Sequence, residues 1–473
     1  MAPVPAENHI TRTIDLCLRL GDLLMSNGAG AADVTVTMDS VARQYGLRHA
    51  AVDVTFTSLS MSYQEAEGSV AYTQMRQVQL REIDYEDLTR VDHLVSAVLA
   101  GEVDVAEARR AVLRLQSSGH QRPRWAVTLG WGVMSAGVAV MLGGDLWVVA
   151  SALVTAVAID RAQQLMSRRR LPAFYQQVAG GAIAMVFTVL VAAAGVGADP
   201  SLVVAANIIM LLSGIGFMGA LQDALTGFYV TACARLLEAL LSTAGIIVGV
   251  SGGLAAATLV GVDLGELAPG AATGIRALAA LGIGAAVAAA GFGYASHARL
   301  RALPPIGLVA GLAVLVSAVV VQLGLGRLWS VGLAAVFVGL VGFGVARRVH
   351  VPPLVVVVSA VVPMLPGLSI YRGLSLLGEG VDGSAPEGIL ALVTAASIAL
   401  ALAAGVILGE YVAQPLAREA RRLEQRLSGP RLVGPLRQRT GRSRRRSSTR
   451  PSSTRRPSTP RSSPRAPSPR RGS

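Results

Sequence analysis

Between Trp125 and about Val412 the chain is an almost unbroken succession of Ala, Val, Leu and Gly runs. A helix needs about 20 apolar residues to cross a bilayer, and the backbone within lipid must satisfy its own hydrogen bonds. Repeated runs of this kind restrict the region to a bundle of transmembrane helices. Only 15% of the residues are charged, below the roughly 25% typical of soluble domains.

The apolar runs divide into about ten predicted spans, five in each half of the region. The first five are 125–143, 146–159, 174–197, 202–221 and 228–253, and the second five are 277–297, 305–323, 328–346, 351–368 and 389–412. We therefore predict a cytoplasmic domain at 1–124, a first membrane repeat at 125–263, a second at 264–415, and a tail at 416–473.

Arginine in the short loops predicts the orientation, because cytoplasmic loops retain basic residues. The loops after spans two, six and eight contain Arg161, Arg168 to Arg170, Arg299, Arg301, Arg347 and Arg348. With an even number of spans both termini lie on the side of these loops. No secretory signal pattern is present at the start, so we expect a multi-pass plasma-membrane protein with both termini in the cytoplasm.

The net charge of +13 comes from the tail, since residues 430–473 contain 14 Arg and no Asp or Glu. A segment with so few apolar residues cannot form a core and is predicted to be disordered, either solvated or in contact with anionic lipid. It has no aromatic residue on which a base could stack. We therefore expect membrane lipids and no nucleic acid among the partners, and the sequence leaves open whether the chain forms a homo-oligomer.

The polar N-terminal region has the pattern of an α+β domain. Helical periodicity precedes the turn Asn27-Gly28-Ala29-Gly30 and resumes over 31–46, alternation predicts strands over 51–62 and 69–81, and two more helices are predicted at 85–100 and 103–116. Ser58, Ser60 and Ser62 fit the polar face of a strand. His, Asp and Ser of a hydrolase are available, but none lies in a hydrolase, metalloprotease or phosphate-loop motif. Neither of the two cysteines suggests a disulfide, and no cofactor or metal is expected.

Ionisable residues in a membrane are costly and therefore functional candidates. Arg235 and Glu238 lie three residues apart in the fifth span, which places them on one helical face. They can neutralise each other, act on a substrate, or do both. Asp223, just after the fourth span, and Asp160 and Glu410, at span ends, lie nearer the interface.

Two predicted spans are interrupted. The ninth contains Pro363, Pro366 and Gly367, and proline breaks the helical hydrogen-bond ladder; Tyr371 and Arg372 follow. In the fourth, Asn207 precedes Ser213 and Gly214, and residues 365–368 align with 212–215. Because five spans make an odd-numbered repeat, the second copy is inverted, and paired Gly/Pro interruptions in inverted repeats indicate a midplane transport site. Glycine used only for close helix packing is the alternative.

These residues resemble the bacterial threonine/serine exporter family. The resemblance rests on LLMSNGAGAADV at 23–34 with DVTFT at 53–57, on QDALTG at 222–227 with Arg235, and on PMLPG at 363–367 with IYRG at 370–373. It implies ten spans and the export of L-threonine and L-serine driven by the proton motive force. Relatives with split halves look like carriers of other small acids, which leaves the substrate open.

The leading hypothesis is thus a secondary exporter of small amino acids, with protons as the coupling ion and no catalytic residue. A zwitterion needs a cationic or helix N-terminal partner for its carboxylate and an acidic or carbonyl partner for its amine. Arg235, Glu238, Asn207 and the breaks at Gly214 and Gly367 supply these, and Glu238 or Asp223 is the candidate proton carrier. A membrane-tethered peptide hydrolase with an exit path, a gating sensor domain and an exporter of other small carboxylic acids are the alternatives.

Overall fold

The computed structural model describes residues 5–78, 83–117, 122–211, 214–259, 274–378 and 384–427. The chain divides into two units after Ala420, and the first contains every helix and strand except the last turns of the final helix. Most of the predicted tail lies outside the described residues, so its disorder stays a prediction.

The polar N-terminal part contains four helices and a small antiparallel sheet. Its elements are α1 (Pro5–Ser26), α2 (Ala31–Gln44), β1 (Ala51–Val54), β2 (Ser58–Tyr63), β3 (Tyr72–Gln77), α3 (Tyr85–Leu99) and α4 (Val105–Ser117). The strands pair in the order β1-β2-β3. The mixture of helix and sheet agrees with the sequence, and α2, α3 and α4 begin and end close to their predicted limits.

The sequence predicts one strand over 51–62, whereas the structure forms two, β1 and β2. Thr55 turns the chain between them: its Oγ1 accepts a hydrogen bond from Ser58 N at 3.2 Å, and Thr55 N donates to Ser58 O at 2.9 Å. A threonine hydroxyl that bonds to the nearby backbone competes with a continuous strand. Within β2, Leu59 and Met61 are fully buried between partly exposed serines, which confirms the predicted polar face.

The described residues of the apolar part form twelve α-helices. They are α5 (Arg124–Met141), α6 (Leu146–Arg168), α7 (Ala173–Ala193), α8 (Pro200–Ile208), α9 (Gly214–Leu225), α10 (Tyr229–Leu259), α11 (Ile275–Ala295), α12 (Leu303–Gln322), α13 (Arg327–Val349), α14 (Pro353–Val361), α15 (Gly367–Gly378) and α16 (Ser384–Leu427). Within the described ranges, seven helices are long and apolar enough to cross a membrane, and nine spans result if α8 with α9 and α14 with α15 each form one. Helix α5, with 18 residues, is not among these nine.

The two bent spans have the same plan. Each consists of a helix of nine residues, a 3-10 turn of three, and a helix of twelve: α8, residues Ile209–Leu211 and α9 in the first half, and α14, residues Val362–Met364 and α15 in the second. The bends are 52° and 47°. Both fall where the sequence predicts an interruption.

Proline accounts for the break between α14 and α15. Leu365 is extended, with φ −62° and ψ 141°, because a residue that precedes proline is disfavoured in the helical region. Pro366 O then accepts the hydrogen bond of Ile370 N at 3.0 Å, so the new helix begins directly after the proline. The second 3-10 turn contains Pro363.

Glycine carries the closest contacts between the membrane helices. A Cβ on Gly137 of α5 would lie 2.5 Å from Ala288 N of α11. A Cβ on Gly181 of α7 would lie 2.7 Å from a backbone oxygen of α10, and one on Gly405 of α16 would lie 2.6 Å from a backbone oxygen of α13. Small residues allow helices to approach closely within lipid. The contact of α7 with α10 in the first half therefore has a counterpart in that of α13 with α16 in the second.

Candidate functional site

An ion pair joins the two helices that follow the first break. Arg235 Nε of α10 lies 3.2 Å from Asp223 Oδ2 in the last turns of α9, and the Asp223 side chain is 1% exposed. The guanidinium also lies beside Gly219, where a Cβ would approach Arg235 Nη1 to 3.1 Å. The sequence suggested Glu238 as a partner of Arg235, and the structure adds Asp223, which the sequence did not pair with it. Helical spacing alone could not find a partner that lies on a different helix.

The loop between α1 and α2 covers this pair. Ala31 N donates to Asp223 Oδ1 at 3.0 Å, and Arg235 Nη2 donates to Ala29 O at 3.1 Å. Helix α2 begins at Ala31, and Gly30, its N-cap, provides no side-chain hydrogen bond. The Asp223 carboxylate therefore takes the place of the usual capping side chain, where a negative charge is favoured.

The loop is anchored at its other end by Asn27. Asn27 Oδ1 accepts a hydrogen bond from Asp84 N at 3.2 Å, and its Nδ2 donates to Leu23 O at 2.7 Å. Gly28 has a φ of 91°, a conformation that glycine adopts without strain. The predicted tight connection between α1 and α2 is confirmed. It brings the backbone polar groups of Ala29 and Ala31 into contact with Arg235 and Asp223.

The turn between β1 and β2 and the end of β1 also contact α10, close to Arg235. Phe56, in the turn between β1 and β2, lies with its ring 5.9 Å from Arg235 Cζ, and Met25 Sδ lies 3.8 Å from Arg235 Nη2. Thr231 Oγ1 of α10 donates to Val54 O at 3.4 Å. The N-terminal elements thus enclose the guanidinium on several sides.

A cavity of about 470 Å³ adjoins the ion pair. Arg235 and Glu238 line it together, as do Gln177, Gln222 and Ser242 and residues of the loop between α1 and α2. A second cavity of about 620 Å³ shares the lining residues Ile83 and Ile215 with the first. A space of this size that offers a cation, an acid and amide groups has the character of a small-molecule binding site.

The two helix breaks contact each other. A Cβ on Gly214, at the start of α9, would lie 2.8 Å from Leu365 Cβ, which precedes Pro366 at the other break. Pro366 and Gly367 are buried, whereas Pro363 is partly exposed. Ser213 lies outside the described residues. Of the residues predicted at the two breaks, Gly214, Pro366 and Gly367 are therefore close to one another in the fold.

The other predicted site residues lie away from the ion pair. Asn207 is fully buried in α8 and its Nδ2 donates at 3.4 Å to Ser151 Oγ, Thr188 Oγ1 and Ala184 O. It lines neither of the two cavities. Tyr371 packs on the cluster that contains Ile208 and Leu211, so it connects the second broken span to the first, and Arg372 is exposed.

A second buried acid belongs to the larger cavity. Asp160, predicted at the end of the second span, lies inside α6, because that helix continues to Arg168. It is 5% exposed, accepts a hydrogen bond from Thr128 Oγ1 at 2.6 Å, and lies 2.9 Å from Arg124 Nη2. The sequence indicated the acid but not its partners, which come from α5.

Asp33, in the first turn of α2, responds to the same electrostatics. Desolvation raises the pKa of Asp33, and the negative charge of Asp223 raises it further. The loop and the ion pair are therefore electrostatically coupled as well as hydrogen-bonded.

The apolar helices, the two contacting breaks and the polar cavity beside them define a multi-pass membrane transporter. Two family models for the threonine/serine exporter, ThrE, match the chain, one over residues 15–257 and the other over residues 281–412. The chain belongs to the threonine/serine exporter family. It is an amino-acid exporter rather than an enzyme, as the sequence predicts, with a small-molecule substrate.

Two relatives align with most of the chain. A protein of Mycobacterium tuberculosis described as "Probable threonine/serine exporter" is 37% identical over 434 residues, which cover 89% of this chain and 80% of the relative. The "Threonine/serine exporter" of Corynebacterium glutamicum is 32% identical over 431 residues, which cover 89% and 87%. No solved structure matches the chain.

Proposed function

We propose that this protein exports L-threonine and L-serine from the cytoplasm across the cell membrane, in exchange for protons that enter. The main support for the location of the transport site is the contact of Gly214 with Leu365. The two broken helices meet there, beside a cavity lined by Arg235 and Glu238. Broken helices at matched positions of two repeats are the usual place for a transporter's substrate. The names of both relatives support the choice of substrate.

The proposed architecture is ten spans in two inverted repeats of five. Helices α5, α6, α7, α8 with α9, and α10 form the first repeat, and α11, α12, α13, α14 with α15, and α16 form the second. The equal lengths of the pieces of the two broken spans support this division. So does the contact of α5 with α11, which are the first helices of the two repeats. The proposed repeats cover residues 125–263 and 264–415, with a boundary that lies outside the described residues. Both termini are proposed to lie in the cytoplasm.

Each charged residue at the site has a proposed role. Arg235 binds the carboxylate of the amino acid, Asp223 holds Arg235 in place and offers an acceptor to the ammonium group, and Glu238 carries the coupling proton. The amides and hydroxyls of the cavity orient the rest of the substrate. Asn207, Ser213, Pro363, Tyr371 and Arg372 remain proposed members of the pathway through the broken spans.

Efflux from proteoliposomes tests the proposal. Vesicles loaded with labelled L-threonine and placed in more acidic buffer should lose it faster than vesicles at equal pH, and an uncoupler should abolish the difference. Glu238→Gln should reduce the acceleration by the pH gradient while Glu65→Gln, the same change on an exposed turn, leaves it intact. Gradient-driven efflux that is unchanged in Glu238→Gln would contradict the proton assignment, and no threonine efflux at all would contradict the function.

A further inference from the structure

We infer that the loop Ala29-Gly30-Ala31 occupies the binding groups of the substrate, and that the amino acid must displace it to be transported. The inference rests on the proposed function and identifies which groups meet the zwitterion. It gives the N-terminal part a direct role as an internal competitor at the transport site.

The loop presents the polar groups of an amino acid in its backbone. Arg235 donates to a carbonyl oxygen, that of Ala29, at 3.1 Å. Asp223 accepts from an N–H, that of Ala31, at 3.0 Å. An amino acid offers the same two features, an oxygen acceptor and a nitrogen donor close together, but each carries a full charge. Each hydrogen bond of the loop has one charged partner, whereas each bond of the zwitterion would have two, and the added Coulomb attraction allows the zwitterion to replace the loop.

The ion pair can still accept a hydrogen bond from such a ligand. Asp223 is 1% exposed, and its Oδ2 accepts no hydrogen bond from the residues that the structure describes, although Arg235 Nε lies 3.2 Å away. A buried carboxylate oxygen without a donor is costly, and an ammonium group would satisfy it. The cavity beside the pair is also lined by Gly28 and Gly30 of the loop, so displacement of the loop would enlarge the space available to the substrate.

The residues around the loop allow it to be weakened by one change. Ala31 is the first residue of α2, a position where proline is tolerated, and Gly30 has φ −69° and ψ 153°, the conformation that a residue before proline adopts. Ala31→Pro therefore removes the N–H group that donates a hydrogen bond to Asp223, and it leaves helix α2 intact. Val105→Pro, at the first position of α4, is the matched control.

Transport kinetics in proteoliposomes test the competition. A competitor reduces apparent affinity by the fraction of protein that it occupies, so Ala31→Pro should lower the KM for L-threonine by about 3- to 10-fold, which corresponds to partial loss of a hydrogen bond to a charged group. Val105→Pro should leave KM unchanged. An unchanged or higher KM in Ala31→Pro contradicts the inference.

Hydrogen exchange of the unmodified full-length protein in lipid nanodiscs gives an independent answer. Saturating L-threonine should accelerate exchange at the amides of residues 28–31, whereas L-threoninamide, which lacks the carboxylate, should not. Unchanged or slower exchange with L-threonine, in a protein that transports it, contradicts the inference alone. A protein that transports no threonine contradicts the proposed function and the inference together.

Discussion

In the first half the break separates α8 from α9, and in the second it separates α14 from α15, with pieces of equal length and bends of 52° and 47°. The chemistry of the two spans differs. The tenth residue of α9 is Asp223, whereas the tenth residue of α15 is Leu376. The common backbone plan thus supports a repeat, whereas the acid at the tenth position is found in α9 and not in α15, and it pairs there with Arg235.

The two breaks also arise from different residues. In the second pair Pro363 lies in the 3-10 turn that follows α14, and Pro366 fixes the extended conformation of Leu365. The sequence of the first break has no proline, and glycine begins both α9 and α15. The geometry is thus compatible with more than one sequence. The contact of Gly214 with Leu365 requires the small residue at the first break.

The largest expected effect comes from removing the ion pair at the first break, because the matching position of the second broken span has no acid. Arg235→Met leaves the buried Asp223 uncompensated, which should cost about 3–5 kcal/mol and abolish efflux. Adding Asp223→Leu, the residue found at the matching place in α15, should restore most of the thermal stability without restoring efflux. The readouts are melting in detergent and threonine efflux.

The matched control is Arg43→Met, which breaks the exposed pair with Asp39 on α2. Surface pairs contribute about 0–1 kcal/mol, so melting and efflux should change little. If the double variant transports at the normal rate, the charge asymmetry between the two breaks has no role in transport.

The next largest effect concerns the contact between the breaks. Gly214→Ala places a Cβ 2.8 Å from that of Leu365, so the two spans must separate. We expect a loss of about 1–3 kcal/mol from overpacking and efflux reduced about 10- to 100-fold by displaced binding groups.

Gly216→Ala, two residues further along α9, is the control, because its Cβ would meet its nearest neighbour at 3.7 Å and should be tolerated. Leu365→Gly, added to Gly214→Ala, should recover part of the efflux. Equal efflux in the two alanine variants would show that the breaks need not touch.

A smaller effect is expected when the second break receives the residue of the first. Pro366→Ser copies Ser213 and should lower stability by about 0.4–1 kcal/mol, chiefly because the unfolded chain gains freedom. Efflux should persist, since Gly367 still begins α15. Measured melting and efflux check this, and complete loss of transport would mean that the proline itself is required.

The smallest effect is a dependence of stability on pH, confined to the first break. Because the pKa of Asp33 is raised in the folded protein, its contribution is fully present below the ordinary value of about 3.9 and is lost as the pH rises through the raised pKa. Asp33→Asn does not undergo this loss of stability, because the asparagine side chain does not ionise. Its melting temperature should therefore exceed that of the parent by a margin that grows as the pH rises from about 4 through the raised pKa of Asp33.

Asp39→Asn, the same acid-to-amide change on the same helix, serves as the comparison. A constant difference between Asp33→Asn and the parent at all pH values would mean that ionisation of Asp33 is not coupled to folding.

Local signals in the sequence predicted much of the fold. Prolines at 363 and 366 marked the second break, and alternation through Leu59 and Met61 marked a strand. The sequence did not predict the pairing of Arg235 with Asp223, or the cap that Asp223 provides for α2, because these contacts join segments far apart in the chain. Nor did it predict the turn at Thr55 or the extension of α6 beyond Ile159, which depend on local hydrogen bonding and on partners such as Arg124.

The most direct measurement is an experimental structure of the full-length protein with L-threonine bound in lipid nanodiscs. The account predicts the amino acid between α9 and α10, beside the contact of Gly214 with Leu365, with its carboxylate on Arg235 and with Ala29 moved off that guanidinium. Threonine bound elsewhere, for instance in the cavity that contains Asp160, with the loop still on Arg235 and Asp223, would contradict it.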